Sequence, residues 1–506
     1  MKIRRVTAGL LLAGILWMGI TGCAASEQPS GISDVSSSEG TSATYQEEYP
    51  SAGGVDPLFD DEEITSVTPP EPPVTSAPVT AATEAVTAAA TTAKPPTTTV
   101  VTTAPPETTA PPVTTLAATA PPVTEPPVPQ TGSNSYQAVN HTEVKGVWLS
   151  YLEYRTMLKG HTKEQFRASI ASAFDQMASA GMNTVYIQCR GFGDAFYSSS
   201  LFPWSEDVTG TFGQAASFDP VAVMLEEGKA RGFSLHAWVN PMRGPTNAQL
   251  QSMADTYPMK RWYNDSSKQG TWVVQLNGRW YFNPAYAEVR QLIADGVTEL
   301  LTRYDFDGAH IDDYFYPTTA ASFDSAAFSA SGASSLSSWR QDNASSMVKA
   351  LYNATHAANA SAVFSVSPQG NVSSNYNTQY ADVRKWCAQS GYLDIIMPQI
   401  YYGFNNSTAP YAATVAEWNA MATAPGVKVV VGLAAYKLGV IDNYAGVGKT
   451  EWQTETDILL RQLTSAREQS RYGGVVLFRY DSLFRPAASV AAQVERERTS
   501  LANALR

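Results

Sequence analysis

The sequence predicts an α/β fold, a closed (β/α)8 barrel behind a long Thr- and Pro-rich tether. Three observations carry that reading. Eight short runs rich in Val, Ile and aromatics recur beyond residue 141, and each is followed by a helical pattern. Composition changes abruptly near residue 140, from Thr, Pro, Ala and Ser to an ordinary globular mixture. The first strand runs into Trp148-Leu149-Ser150-Tyr151, without the Gly-rich phosphate loop expected of a doubly wound open sheet.

The chain opens with Lys2, Arg4 and Arg5, an apolar stretch from Leu10 to Ile20, and Thr21-Gly22-Cys23. A basic start and a short apolar core mark an export signal over residues 1–22. Small residues directly before a cysteine match the site at which bacterial lipoproteins are cleaved and acylated, so Cys23 is the expected lipidation point. This places the remainder outside the cytoplasm, attached to the membrane by its N-terminus. Residues 23–140 include Thr102-Thr103-Ala104-Pro105-Pro106-Glu107-Thr108-Thr109-Ala110-Pro111-Pro112 and are expected to be disordered, since they hold too little apolar surface to offset the entropy of ordering. Pro-rich chain rises ~3.1 Å per residue when extended, a reach suited to a cell wall.

The barrel is expected over residues 141–506. Strands are expected at 145–150, 184–189, 234–239, 308–312, 363–366, 395–399, 428–433 and 474–478. Helices are expected at 163–180, 220–231, 285–304, 336–358, 378–390, 410–422, 451–469 and 486–501. Nearly continuous apolar strands joined by crossover helices imply a parallel sheet buried on both faces, and eight such units suit a barrel. Residues 244–283 interrupt the rhythm after the third strand. There Asn277-Gly278 supplies a tight hairpin turn between Trp-rich arms, and a loop following a strand lies on the face where such barrels build their sites.

The net charge of -12 resides in the tether, where fourteen acidic residues face one lysine. The folded part is nearly neutral and has no basic stripe, which argues against a nucleic acid partner. No Gly-x-Ser-x-Gly elbow, zinc-protease His pair or cofactor motif is present, and Cys189 and Cys387 read as buried free thiols.

The block Asp307-Gly308-Ala309-His310-Ile311-Asp312-Asp313-Tyr314 ends the fourth strand with two carboxylates. Side-chain alternation puts His310 and Asp312 on one face. Glycoside hydrolysis generally uses two carboxyl groups about the scissile bond, so Asp312 is the first catalytic candidate. Asp313 and Glu153 follow as partners, with Asp194 and Asp481 also near strand ends. Arg190, Asp194, Asn240, His310, Gln399 and Arg479 are candidate sugar contacts; Trp204, Trp238, Tyr314, Tyr401 and Tyr402 offer flat faces for pyranose rings. A metal held by His310 and His236 is the minor alternative.

These residues lie in motifs similar to those of the bacterial glycosyl-hydrolase-like family 10: Val144-Lys145-Gly146-Val147-Trp148, Phe202-Pro203-Trp204-Ser205, Trp238-Val239-Asn240-Pro241, the Asp307–Pro317 block, and Asp394-Ile395-Ile396-Met397-Pro398-Gln399-Ile400-Tyr401. The His-x-Asp spacing also resembles the Arg-x-Asp of α-amylase-type barrels, by which analogy Asp312 is the nucleophile. Amylase-type enzymes place an acid Glu after the fifth strand. Here that strand ends Ser365-Val366-Ser367-Pro368-Gln369, leaving the proton donor unassigned. The resemblance implies a hydrolase acting on a cell-wall glycan or another polysaccharide without a cofactor. A barrel that binds glycan without cutting it is the alternative.

Overall fold

The computed structural model describes residues 135–506. The export signal, Cys23 and the tether as far as residue 134 lie outside the described residues. Eight parallel strands close on themselves: β1 (Val144–Leu149), β2 (Thr184–Arg190), β3 (Ser234–Val239), β4 (Gly308–Ile311), β5 (Val363–Val366), β6 (Ile395–Ile396), β7 (Lys428–Ala434) and β8 (Tyr472–Phe478), with β8 paired to β1. The expected barrel is thus present, and every predicted strand has its counterpart.

The departures have identifiable causes. The sixth strand was expected to reach residue 399 but its ladder stops at Ile396, because Pro398 has no N–H to donate; Gln399 rejoins it only through single bridges to Gln369 and Gly432. The helix expected at 451–469 is two helices, Glu451–Thr454 and Ile458–Arg467, broken where Asp457 adopts a positive φ of 56°. Glu497 accepts from Ile458 N and Leu459 N, both at 3.2 Å, and so satisfies the free donors of the second helix. The helix expected at 378–390 spans only Val383–Ala388 and starts at Asp382, whose side chain accepts from Lys385 N.

Inside the barrel, alternate residues of the strands meet in layers. Val144 and Trp148 of β1, Tyr186 of β2, Trp238 of β3, Ile395 of β6, Val430 of β7 and Val476 of β8 pack with Met397, while the intervening residues face the surrounding helices. Gly308 lets β4 approach β3 and β5 closely: a Cβ there would lie 2.4 Å from both His236 Nδ1 and Val363 O.

Residues 136–140, expected to be the end of the tether, are docked against the N-terminal end of the barrel. Tyr136 Oη donates to Asp307 Oδ1 at 2.8 Å, Val139 N donates to the same oxygen at 2.6 Å, and Ala138 N donates to Ser361 Oγ at 2.9 Å. Asp307 precedes β4, so this strap lies at the end opposite the strand mouths.

Gly308→Ala forces a methyl into the β3–β4–β5 contact and is expected to lower the unfolding free energy by about 1–3 kcal/mol, read from denaturant unfolding of the Ala variant against the parent.

Candidate active site

Asp312 leaves the ladder at the C-terminal mouth of β4 with its carboxylate turned into the barrel. Trp238 Nε1 donates to Oδ2 at 2.9 Å and Asn240 Nδ2 donates to the same oxygen at 2.7 Å. Tyr314 N donates to Oδ1 at 3.3 Å. Asn240 is itself held by Gln188, whose Nε2 donates to Asn240 Oδ1 at 2.7 Å and whose Oε1 accepts from Tyr151 N at 3.1 Å. A chain of hydrogen bonds thus runs from the end of β1 through β2 and β3 to Asp312. Burial, and then the neighbouring Asp313 charge, push the Asp312 carboxyl well above the usual carboxylate range, against the indole donor and Arg243. Asn N–H and indole N–H can only donate, so a proton on Asp312 must sit on Oδ1.

His310 lies one layer below and is fully buried. Trp148 Nε1 donates to its Nε2 at 3.0 Å, and its Nδ1 lies 2.8 Å from Ser365 Oγ. Because indole only donates, Nε2 is unprotonated and the proton is on Nδ1, facing the serine. Burial holds the imidazole neutral, its pKa well below 6.5. His310 therefore supports the floor of the site and does not reach sugar; both its nitrogens are occupied, and among the described residues no three His, Cys, Asp or Glu side chains converge on a possible metal position.

Asp313 points the other way around the mouth, where Gln399 Nε2 donates to its Oδ1 at 3.2 Å and to Ser367 O at 3.2 Å. Both acids raise the pKa of Tyr401, after burial and Tyr436. The ring of Tyr401 packs 5.8 Å from Phe478 and 5.6 Å from Tyr436, centre to centre. Opposite, Tyr314 is half-buried with the Arg243 guanidinium 4.0 Å from its ring centre.

Five sequence candidates lie elsewhere. Glu153 is the N3 residue of the helix Tyr151–Leu158; Ser150 N donates to it at 2.8 Å, Ser150 Oγ also donates to it, and Arg479 Nη1 pairs with its Oε1 at 2.7 Å. Burial pushes its carboxyl up while Arg479 opposes. Glu153 and Arg479 thus form a buried ion pair that joins the ends of β1 and β8. Arg190 sits on the outer wall, 4.4 Å from the Phe202 ring centre and against Gly296 of the helix Ala287–Arg303, its pKa pushed down to about 10 by burial. A register shift between Gln188 and Arg190 separates the inward glutamine from this outward arginine. Asp194 accepts from Phe192 N at 2.8 Å within its own loop, and Trp204 is buried in the outer core, bridging Ala195.

Sequence reasoning missed Gln188 and Ser365, and it assigned Trp238 to stacking where its indole N–H serves Asp312. Strict alternation from Ser234 through His236 and Trp238 to Asn240 was the available signal. The insertion holds the expected hairpin. Its strands Arg243–Thr246, Val273–Leu276 and Arg279–Phe282 form a small antiparallel sheet turned by Asn277 and Gly278, both at positive φ. Its tryptophans pack on other insertion aromatics, Trp272 with Trp262 and Trp280 with Tyr263, whereas the charge of its Arg243 is felt by Asp312.

Comparison with known proteins follows the same outline. Residues 143–446 match the model of the family described as Glycosyl hydrolase-like 10. "Glycosyl hydrolase YngK" of Bacillus subtilis is 31% identical over 326 residues, covering 60% of this chain and 62% of that protein. "Glycosyl hydrolase DigH" of Escherichia coli is 28% identical over 350 residues, covering 64% and 78%. Among solved structures, the glycoside hydrolase domain of PgaB (BpsB) from Bordetella bronchiseptica aligns over 70% of this chain and 99% of its own, with a TM-score of 0.46 and 13% identity.

Two substitutions separate the roles. Raised above its unfolded value of ~3.9, the Asp312 carboxyl binds its proton more tightly in the folded chain, so it subtracts stability as pH climbs from ordinary carboxylate values toward the raised one. Asp312→Asn keeps an acceptor for Trp238 and Asn240 and removes that penalty. Its melting temperature is expected to exceed the parent's at about pH 7.5, with the gap closing toward pH ~4, as read by thermal unfolding across that range. Glu153→Gln removes the nearer and fully buried counter-charge of the Arg479 guanidinium, leaving Asp481 at 3.6 Å, and is expected to cost on the order of 3 kcal/mol in chemical denaturation; unaltered stability with abolished glycan hydrolysis would instead make Glu153 catalytic.

Proposed function

The chain belongs to the glycosyl hydrolase-like 10 family, and from that premise we propose that it is a glycoside hydrolase that cuts O-glycosidic bonds of a cell-wall glycan, peptidoglycan foremost, or another extracellular polysaccharide. The observation that carries the reading is the Asp312–Asp313 pair at the barrel mouth, with Asp312 gripped on one oxygen by Trp238 and Asn240. Two neighbouring carboxyls, one of them raised by burial and by the charge of the other, suit acid–base cleavage of an acetal. Asp312, which keeps its proton, is the donor to the leaving oxygen, from Oδ1. Asp313 is the partner carboxyl that stabilises positive charge at the anomeric carbon or activates water. This assignment departs from the amylase analogy, which made Asp312 the nucleophile. Tyr401 and Tyr314 flank the acids and supply ring faces to sugar; Gln399 orients Asp313, and Asn240 orients Asp312.

Localisation belongs to the same proposal. An export signal and a lipidated Cys23 hold the chain at the membrane, and the tether carries the barrel toward its substrate. The strap at 136–140 docks at the end of the barrel opposite Asp312, so the tether joins the barrel away from the mouth.

The test is release of soluble fragments from peptidoglycan glycan strands and from a panel of plant and storage polysaccharides by residues 135–506. Release that falls at least 100-fold in Asp312→Asn, with the fold retained by circular dichroism, is the expected result. Retention of the protein on one glycan without release from any overturns hydrolysis and leaves the barrel as a binding module.

A further inference from the structure

The carboxamide of Gln188 stands one side chain away from Asp312, and the reading above gives it no part in the reaction. Every hydrogen bond it makes nevertheless has a direction. Tyr151 N opens the helix Tyr151–Leu158 and is among the amides that have no acceptor within their own helix; it donates to Gln188 Oε1 at 3.1 Å. Gln188 Nε2 donates in turn to Asn240 Oδ1 at 2.7 Å, and Asn240 Nδ2 donates to Asp312 Oδ2 at 2.7 Å. A backbone amide can only donate, so this one fixed donor orients both carboxamides and delivers an N–H, rather than a carbonyl, to the acid.

We infer that Gln188 is a positioning residue for proton donation: through Asn240 it keeps the proton of Asp312 on Oδ1 and off Oδ2. The inference rests on Asp312 being the proton donor, as read above.

The two ends of a carboxamide have nearly the same shape, so packing alone does not choose between them. Turned over, Asn240 would set its Nδ2 against Gln188 Nε2 and its Oδ1 against Asp312 Oδ2. The second contact is favourable only when Oδ2 itself carries the proton, which removes it from the oxygen that serves the leaving group. Gln188 forbids the first contact and with it the second. Asn240 is fully buried and Gln188 is 3% exposed, so water does not readily stand in for either. Trp238 also donates to Oδ2, but an indole N–H is a donor in any orientation and needs no such control.

Loss of the relay therefore has a signature. An N–H that faces a carboxylate stabilises its charged form, and a carbonyl does not. Once Asn240 can turn, Asp312 holds its proton to higher pH and yet donates it less readily from Oδ1. The titratable groups about Asp312 are Asp313 beside it, Arg243 from the inserted sheet, Tyr401 beyond β6 and the neutral His310 one layer below. All of them stay in place when only Gln188 is changed.

The test is the titration of Asp312 by NMR of carboxyl-labelled aspartate, its resonance identified by loss in Asp312→Asn, together with kcat and KM on peptide-free peptidoglycan strands. Gln188→Met keeps the length of the side chain and loses both bonds. Its Asp312 midpoint is expected to rise by roughly one pH unit, and its kcat to fall roughly tenfold or more with KM within about twofold of the parent's. Gln188→Glu, when protonated, donates to Asn240 as the amide does. Its kcat is expected to match the parent's at low pH and to drop to the Gln188→Met level as the glutamate ionises; this profile decides alone if the Met variant does not fold. An Asp312 midpoint unmoved in Gln188→Met overturns the inference whether or not the strands are cut, and so does an equal loss of kcat in both variants at every pH. Where the strands are not cut, the titration alone decides: a midpoint that rises in Gln188→Met supports the relay although hydrolysis has failed.

Discussion

The two hydrogen bonds that Trp238 and Asn240 donate to one oxygen of Asp312 hold the rest of the site in register. They come from consecutive inward positions on β3 and meet the first residue beyond β4, so the barrel closure that sets the spacing of those strands also sets the carboxylate. The grip continues outward, because Asn240 cannot turn without breaking its bond from Gln188, and Gln188 is tied to the backbone where β1 ends. Strand ends in this fold are adjacent by topology alone; here the side chains convert that adjacency into a fixed rotamer for a single acid. A preorganised acid of this kind needs no rearrangement when substrate arrives.

Beneath it, a second layer removes freedom from the first. Trp148 and Ser365 occupy the two nitrogens of His310 and determine which of them bears the proton. The rings of Tyr186 and Trp238 pack about that imidazole at 4.6 and 6.2 Å. A neutral histidine in this position adds no charge below Asp312, and so leaves burial and Asp313 to raise its pKa unopposed from that side. His310 is thus paired on both nitrogens inside the barrel, while Asp312 and Asp313 carry the acid groups at the mouth.

The architecture was legible in the sequence because hydrophobic period and helix caps act locally: each strand was readable from a few neighbours, and boundaries moved where a local group such as Pro398 or the Asp382 cap ended an element early, or where a distant one intervened, as when Glu497 caps a helix that sequence pattern ran through. Asp312, Asn240, Gln399 and Tyr401 were legible for a related reason, since they sit at strand ends on the inward phase. Arg190 and Glu153 were misread because their surroundings depend on events outside that phase. A one-residue register shift in β2 turned the arginine outward, and a capping serine with a partner from β8 enclosed the glutamate. The strap at 136–140 escaped because its partners, Asp307 and Ser361, are far off in sequence and its own composition is that of a linker.

The inserted sheet shows why composition misleads about a wall. Its tryptophans are the obvious sugar platforms, yet a large apolar ring is more readily buried against another ring than left at a wet mouth, and Trp262, Trp272 and Trp280 do so. Arginine can cover apolar surface with its stem and still present polar edges. An excursion of some forty residues must fold on itself before it can shape anything else, so its best hydrophobic material goes to its own small core. What it turns outward is the amphipathic remainder, Arg243 and Arg279 laid over Phe192, and of these the charge of Arg243 is felt by Asp312.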